Sequence, residues 1–208
     1  MKTSKNSILK ILSNNKEKEI MFTIHTSETK IGVLLSGGMD SALLLYLLAK
    51  HFPNEIQPIT VPKHDGAANY VNDIIDWVKN KTNRDINDVI IFGNPNLHHS
   101  QILGNTLHRI IHHNIADVYY VGDNSYPQEI LPNGPVRIKF GRDKVLYPFF
   151  EWYKPDIVSV YIKENILDLL PLTHTCTEQN IGRCNVCWQC RERIWAFKEC
   201  GLEDLTTT

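Results

Sequence analysis

Apolar residues along this chain alternate between short dense runs and longer spaced ones, and the two patterns predict different elements. Residues 31–35 (Ile-Gly-Val-Leu-Leu) form a compact apolar run that ends at a glycine-rich turn. An almost unbroken run, Ala42-Leu43-Leu44-Leu45-Tyr46-Leu47-Leu48, follows at once. The first reads as a buried strand and the second as a buried helix. The same alternation continues with a strand at 56–61, a helix at 69–80 and a third strand at 88–92. In the helix, Val71, Ile74, Ile75 and Val78 share one face. A helix at 101–113 carries Ile102, Leu103, Leu107, Ile110 and Ile111, and a fourth strand at 117–121 runs into Gly122. Strands alternating with helices predict an α/β fold with a doubly wound parallel sheet and right-handed crossovers. Ligands in such sheets lie beyond the carboxyl ends of the strands, which gathers residues 36–41, 62–66, 93–99 and 122–128 around one mouth.

The two ends of the chain are less regular. Residues 1–19 are rich in Lys, Asn and Ser, with Ile8, Leu9, Ile11 and Leu12 as the apolar cluster, and suggest a short surface helix or a frayed extension. A strand is expected at 20–24, and a helix at 191–199. The expected organisation is an extension and edge strand at 1–30, a nucleotide-binding domain at 31–170, and a metal-binding and helical segment at 171–208.

The turn between the first strand and helix, Ser36-Gly37-Gly38-Met39-Asp40-Ser41, carries the most specific chemistry. Two glycines allow a tight turn and a close approach of backbone to a ligand, while Ser36, Ser41 and the first helical N–H groups converge on one spot. An anion is the natural guest. No lysine follows the glycines and Asp40 stands inside the turn, so the spacing is not that of the Gly-x4-Gly-Lys-[Ser/Thr] phosphate loop. Ser36-Gly37-Gly38-x-Asp40-Ser41 resembles the signature of the PP-loop ATP pyrophosphatase superfamily, matching it at every position. The resemblance implies that Leu34, Leu35, Ser36, Gly37, Gly38, Met39, Asp40 and Ser41, with Val61 after the second strand, bind ATP. It further implies cleavage between the α and β phosphates to adenylate a substrate.

A net charge of -1 over 208 residues gives no whole-protein electrostatic argument for a nucleic-acid partner, and a small molecule is the expected substrate. No window is apolar enough to span a bilayer and the N-terminus has no signal-peptide core, so a cytoplasmic, membrane-free protein is expected.

Four of the five cysteines crowd into one segment as Cys176, Cys184, Cys187 and Cys190, separated by seven, two and two residues. Short paired spacings let several thiolates converge on one tetrahedral cation, and a structural zinc is the simplest occupant. Cys-x-x-Cys-x-x-Cys with a remote fourth cysteine also suits an iron–sulfur cluster. Cys200 reads as a small buried residue. Of the nine histidines, the pairs His98-His99 and His112-His113 have no Glu or Cys at ligand spacing and read as surface or satisfied groups, with His98 alternatively facing the mouth.

The glycine loop and the cysteine segment together resemble the 7-cyano-7-deazaguanine synthase family, which uses ATP and ammonia to turn a carboxylate into a nitrile. Leu146-Tyr147-Pro148, Lys154, Leu167, Leu169, Leu170, Thr175-Cys176 and Arg193 are similar to further parts of that family's pattern. Pro62-Lys63-His64-Asp65-Gly66 and His98-His99-Ser100-Gln101 depart from it, and Gly122-Asp123-Asn124-Ser125-Tyr126-Pro127 keeps only part of it. The resemblance implies ATP, Mg²⁺ and Zn²⁺ as cofactors, a small carboxylate and ammonia as partners, and a homodimer. Ser36 and Asp40 are expected at the pyrophosphate. Lys154 is either a charge stabiliser or a solvated lysine. Gly122, Asp123 and Tyr126 either read the acceptor or form a plain loop after a strand.

Overall fold

The computed structural model describes residues 5–13, 16–24, 28–93, 99–134, 139 and 143–204. Strands β1 (Lys5–Ser13) and β2 (Lys16–Ile24) pair antiparallel, with Leu9 opposite Ile20. This corrects the helix or frayed extension expected for residues 1–19. Ile8, Leu9, Ile11 and Leu12 have helical spacing, but a long partner strand two residues away offers cross-strand pairing, which overrides local propensity. Ile20 and Phe22 of β2 are fully buried, and the Phe22 ring meets Phe52 at 5.3 Å and Tyr120 at 5.8 Å.

The central sheet contains β3 (Ile31–Leu34), β4 (Ile56–Thr60), β5 (Ile90–Ile91), β6 (Val118–Val121) and β7 (Val145–Leu146), all parallel, in the order β5-β4-β3-β6-β7. Helices α1 (Met39–His51), α2 (Val71–Thr82) and α3 (His99–His112) link the first four of these strands. The fold is therefore α/β with a parallel sheet, as the alternation predicts. Successive residues of β3 and β6 serve opposite faces. Ile31, Val33, Val118 and Tyr120 join the larger core, which contains α1 and α2, whereas Leu34, Tyr119 and Val121 join a smaller one with Leu107 and Ile110 of α3. Strand β5 is shorter than the expected 88–92, and β7 is too short for any periodicity to reveal it.

Pro58 sits in β4, an interior strand, where a missing N–H is normally excluded. In this register the Asp88 carbonyl lacks that donor and instead accepts from Gln57 Nε2 at 2.7 Å. The repair keeps β4 inside the sheet and so keeps its end beside the glycine loop.

The chain moves outward from β3 to β4 to β5, then returns to lay β6 on the other side of β3. The reversal falls between β3 and β6, the place where open parallel sheets leave a crevice. After β7 come α4 (Lys154–Lys163), a 3₁₀ turn at Leu167–Leu172 and α5 (Trp188–Glu199), which packs on α4. Among the described residues no helix is long and apolar enough to cross a membrane.

Candidate functional site

The glycine loop joins the end of β3 to the start of α1 and holds itself in shape. Ser41 Oγ accepts from the Ser36 N–H at 3.1 Å, lies 3.1 Å from Ser36 Oγ, and donates to the Gly38 carbonyl at 3.0 Å. The Gly38 N–H donates to Ser36 Oγ at 3.3 Å, closing a ring of short polar contacts. Gly37 has φ +84, and a Cβ on it would stand 1.9 Å from the Ala67 carbonyl oxygen. Only glycine fits there. From behind, the His174 N–H donates to the Gly37 carbonyl at 2.8 Å. Helix α1 starts without a side-chain cap, and its first-turn N–H groups, like those of any helix, have no intrahelical acceptor.

These groups open onto a cavity of about 210 Å³ at the sheet's reversal point. Leu34, Leu35, Ser36, Gly38, Met39, Asp40, Ser41, Val61, Gly122, Asp123 and Lys154 all line it. Gly37 lies behind the wall, and Gly122 lets β6 approach the helix start, where a Cβ would come within 3.0 Å of the Ser41 nitrogen. Tyr126 is not part of the wall. Its ring packs edge-on against Trp188 at 4.5 Å. Of the other expected mouth residues, Lys63 and Asp65 line the cavity, while 94–98 lie outside the described residues.

Lys154 is buried at the start of α4, and its Nζ hydrogen-bonds Asp40 Oδ2 and lies 3.3 Å from Glu192 Oε2. Burial of the second Asp40 oxygen, Oδ1, leaves it without a hydrogen-bond partner. The charged wall residues are Asp40, Asp65, Asp123 and Glu192 against Lys63 and Lys154, so carboxylates are in excess. Such a wall accepts a phosphorylated ligand most readily together with a cation.

Five wall residues come from the C-terminal segment, His174, Thr175, Thr177, Gln189 and Glu192, and sequence reasoning assigns none of them to the site. The His174 ring stacks on Tyr70 at 5.1 Å, with Nε2 buried and unpartnered. For Glu192 the available signal was its place on a helix, two residues beyond a metal-spaced cysteine.

The four spaced cysteines do converge. The Sγ atoms of Cys176, Cys184, Cys187 and Cys190 all lie within 4.8 Å of one another. Cys176 Sγ accepts N–H groups from Glu178 and Cys184 at 3.4 Å each, and Cys184 Sγ accepts from Cys187 at 3.2 Å. Burial pushes the Cys187 thiol up, but hydrogen bonds from Thr177 and Cys190 outweigh it and bring it down to about 6. Cys187 caps α5 and Cys190 sits in its first turn. Cys200 stands apart, with its Sγ donating to the Pro155 carbonyl and its thiol pushed up by burial.

Behind the cluster, Arg193 is fully buried and donates to Asp204 at 2.7 Å and to the hydroxyls of Thr173 and Thr175 at 3.1 Å each. Arg183 shares Asp204.

A family model described as asparagine synthase matches residues 24–75, a stretch that contains β3, the glycine loop, α1 and β4. No curated protein matches the chain. Among solved structures it is similar to "U34-tRNA thiolase NcsA from Methanococcus maripaludis with its [4Fe-4S] cluster" at 15% identity. That likeness covers 84% of this chain and 67% of that one, with a TM-score of 0.48. It is also similar to the NH3-dependent NAD synthetase from Campylobacter jejuni subsp. jejuni NCTC 11168 in complex with the nitrate ion, at 14% identity. There the coverage is 71% and 68%, and the TM-score 0.46.

Proposed function

We propose that this chain is an ATP-dependent carbon–nitrogen ligase of the PP-loop kind. It adenylates a small carboxylate, 7-carboxy-7-deazaguanine or a close relative, and joins ammonia to the activated carbon. The observation that carries this reading is the lysine-free Ser-Gly-Gly-x-Asp-Ser loop, self-bonded at the sheet's reversal point, with uncapped N–H groups beside it. The match of residues 24–75 to the asparagine synthase model supports it over the same stretch.

The substrate carboxylate oxygen attacks the α-phosphorus, and pyrophosphate leaves as a unit into the loop. Ser36, Ser41 and the first N–H groups of α1 take up the charge that develops on it, already oriented before the bond breaks. Lys154 contributes fixed positive charge at the same end. Ammonia displaces AMP to give an amide. A second adenylation on the amide oxygen, followed by loss of that oxygen with AMP, gives the nitrile. Magnesium would be held through Asp40, whose Oδ1 is buried without a partner, and it supplies further charge neutralisation.

The cysteine cluster fits a single zinc ion. Tetrahedral Zn–S bonds of about 2.3 Å put sulfurs about 3.8 Å apart, which the four Sγ atoms, all within 4.8 Å of one another, accommodate, whereas a four-iron cube holds its thiolates further from one another. A rival reading, a PP-loop tRNA-modifying or sulfur-transferring enzyme working through a cysteine persulfide, needs a reactive thiol at the cavity. Cys200, the one cysteine outside the cluster, is not in the cavity wall and its thiol is raised by burial.

Incubation with ATP, ammonium and 7-carboxy-7-deazaguanine tests the acceptor. Amide and nitrile by mass spectrometry are expected. AMP and pyrophosphate formed only with a different carboxylate would replace the acceptor while leaving the loop chemistry intact.

A further inference from the structure

Glu192 is a second carboxylate buried against the Lys154–Asp40 pair, and the chemistry so far gives it no work. It is 1% exposed, its Oε2 lies 3.3 Å from Lys154 Nζ, and its Oε1 accepts from Asn124 Nδ2 at 3.0 Å. Asn124 is itself 1% exposed and also donates to the Ser125 carbonyl at 2.8 Å, which fixes the direction from which it holds Glu192. A carboxylate is taken out of water at a large penalty unless its partners are well placed, and removing one partner is damaging. The arrangement is therefore specific. Glu192 also follows Cys190 by two residues on α5 and precedes Arg193, which donates to Thr173 and to Thr175, a residue of the cavity wall.

A lysine ammonium on a flexible stem goes to the strongest anion within reach. With Asp40 as its one carboxylate partner, Lys154 would neutralise Asp40 completely or swing onto an incoming triphosphate. Shared between two carboxylates, it stays at the helix start and leaves Asp40 with unspent negative charge, in keeping with the unpartnered Oδ1.

We propose that Glu192 is a positioning residue of the nucleotide site: it holds Lys154 beside Asp40 from a helix turn whose own position is set by the metal-binding cysteines. This rests on reading the cavity as the ATP site. A lysine freed from Glu192 binds ground-state phosphates at least as well, so the loss falls on turnover rather than on ATP binding.

The test is a double-mutant cycle with the near-isosteric Glu192→Gln, measured as pyrophosphate release in the native and Lys154→Met backgrounds. In the native background kcat is expected to fall by about tenfold or more, as for other close charge pairs, with KM for ATP unchanged or lower. In the Lys154→Met background Glu192→Gln is expected to add nothing. Equal losses in both backgrounds, a rise in KM alone, or an unchanged kcat would overturn the proposal.

Lysine acetylation followed by peptide mass spectrometry reads the same hold without turnover. Faster labelling at Lys154 and unchanged labelling at Lys63 supports it, and unchanged labelling at Lys154 overturns it. If wild-type protein releases no pyrophosphate with any carboxylate offered, the ATP reading falls, and the labelling result alone decides the role of Glu192. If Glu192→Gln loses its metal or its melting transition, the decision passes to Asn124→Ala, which loosens Glu192 without changing charge. That variant is expected to expose Lys154 to labelling, and protection equal to wild type would reject the proposal.

Discussion

Residues 36–41 keep their shape through bonds among themselves, whereas residues 176–190 turn several of their backbone N–H groups onto the sulfurs of the four cysteines. In the first stretch two serines, two glycine peptides and the start of a buried helix satisfy one another without any guest. In the second, Ile181 is 84% exposed and Val186 73% exposed, Gly182 and Asn185 have positive φ, and the N–H groups of residues 178, 184 and 187 point at sulfur. Both stretches are irregular backbone built to hold charge. On the function proposed above, the difference lies in when the order is made: the glycine loop is ordered on folding and accepts its guest afterwards, while the cysteine loop is expected to need a metal in order to fold.

The largest expected effect separates the two at once. Chelation or Cys184→Ser should remove about one metal ion per chain and collapse the cysteine loop, since structural zinc supplies on the order of 10 kcal/mol to such sites. Metal analysis with circular dichroism reads it, and retention of both fold and α5 without metal would break the comparison. Because each thiol must be deprotonated to bind, the same loss should appear as pH is lowered, with zinc released before the glycine-loop domain unfolds.

Next in size is Gly37→Ala. A Cβ at 1.9 Å from a backbone oxygen at positive φ forces the loop away from residue 67, so a loss of roughly 3 kcal/mol or more in chemical denaturation is expected. Metal content should not change. Asp40→Asn and Ser36→Ala should each lower kcat by ~10²-fold, the scale for removing one preorganised group from a developing charge. The smallest effect belongs to Cys200→Ala, which should leave metal stoichiometry intact and shift stability by about 1 kcal/mol or less. Loss of metal in that variant would put a fifth thiol into the cluster and contradict its separation from the other four.

The two regions were also legible in the sequence to different depths. Ser36 to Ser41 could be read because the whole device is contiguous, so its chemistry is local and needs no tertiary information. The cysteines were legible as a ligand set from spacing alone, and they do come together. What spacing could not reveal is that α5, which carries Cys190 and has Cys187 as its N-cap residue, also delivers Gln189 and Glu192 to the cavity beside the glycine loop. That depends on how α5 packs on α4, a long-range contact with no periodic trace. Tyr126 illustrates the opposite outcome: its place after β6 suggested the mouth, but an aromatic neighbour, Trp188, takes its ring. The β1–β2 hairpin was missed because its apolar residues have helical spacing, and a partner strand decided the matter.

Which phosphate bond breaks tests the central claim most directly. A loop with hydroxyls and N–H groups but no lysine suits a pyrophosphate that leaves as a unit rather than a γ-phosphoryl group in flight. Turnover in the presence of the carboxylate acceptor should give AMP and pyrophosphate. An ATP analogue with methylene between the α and β phosphates should block the reaction, and one with methylene between β and γ should still be cleaved. ADP and free phosphate as products, with the two analogues behaving in the reverse way, would contradict the account.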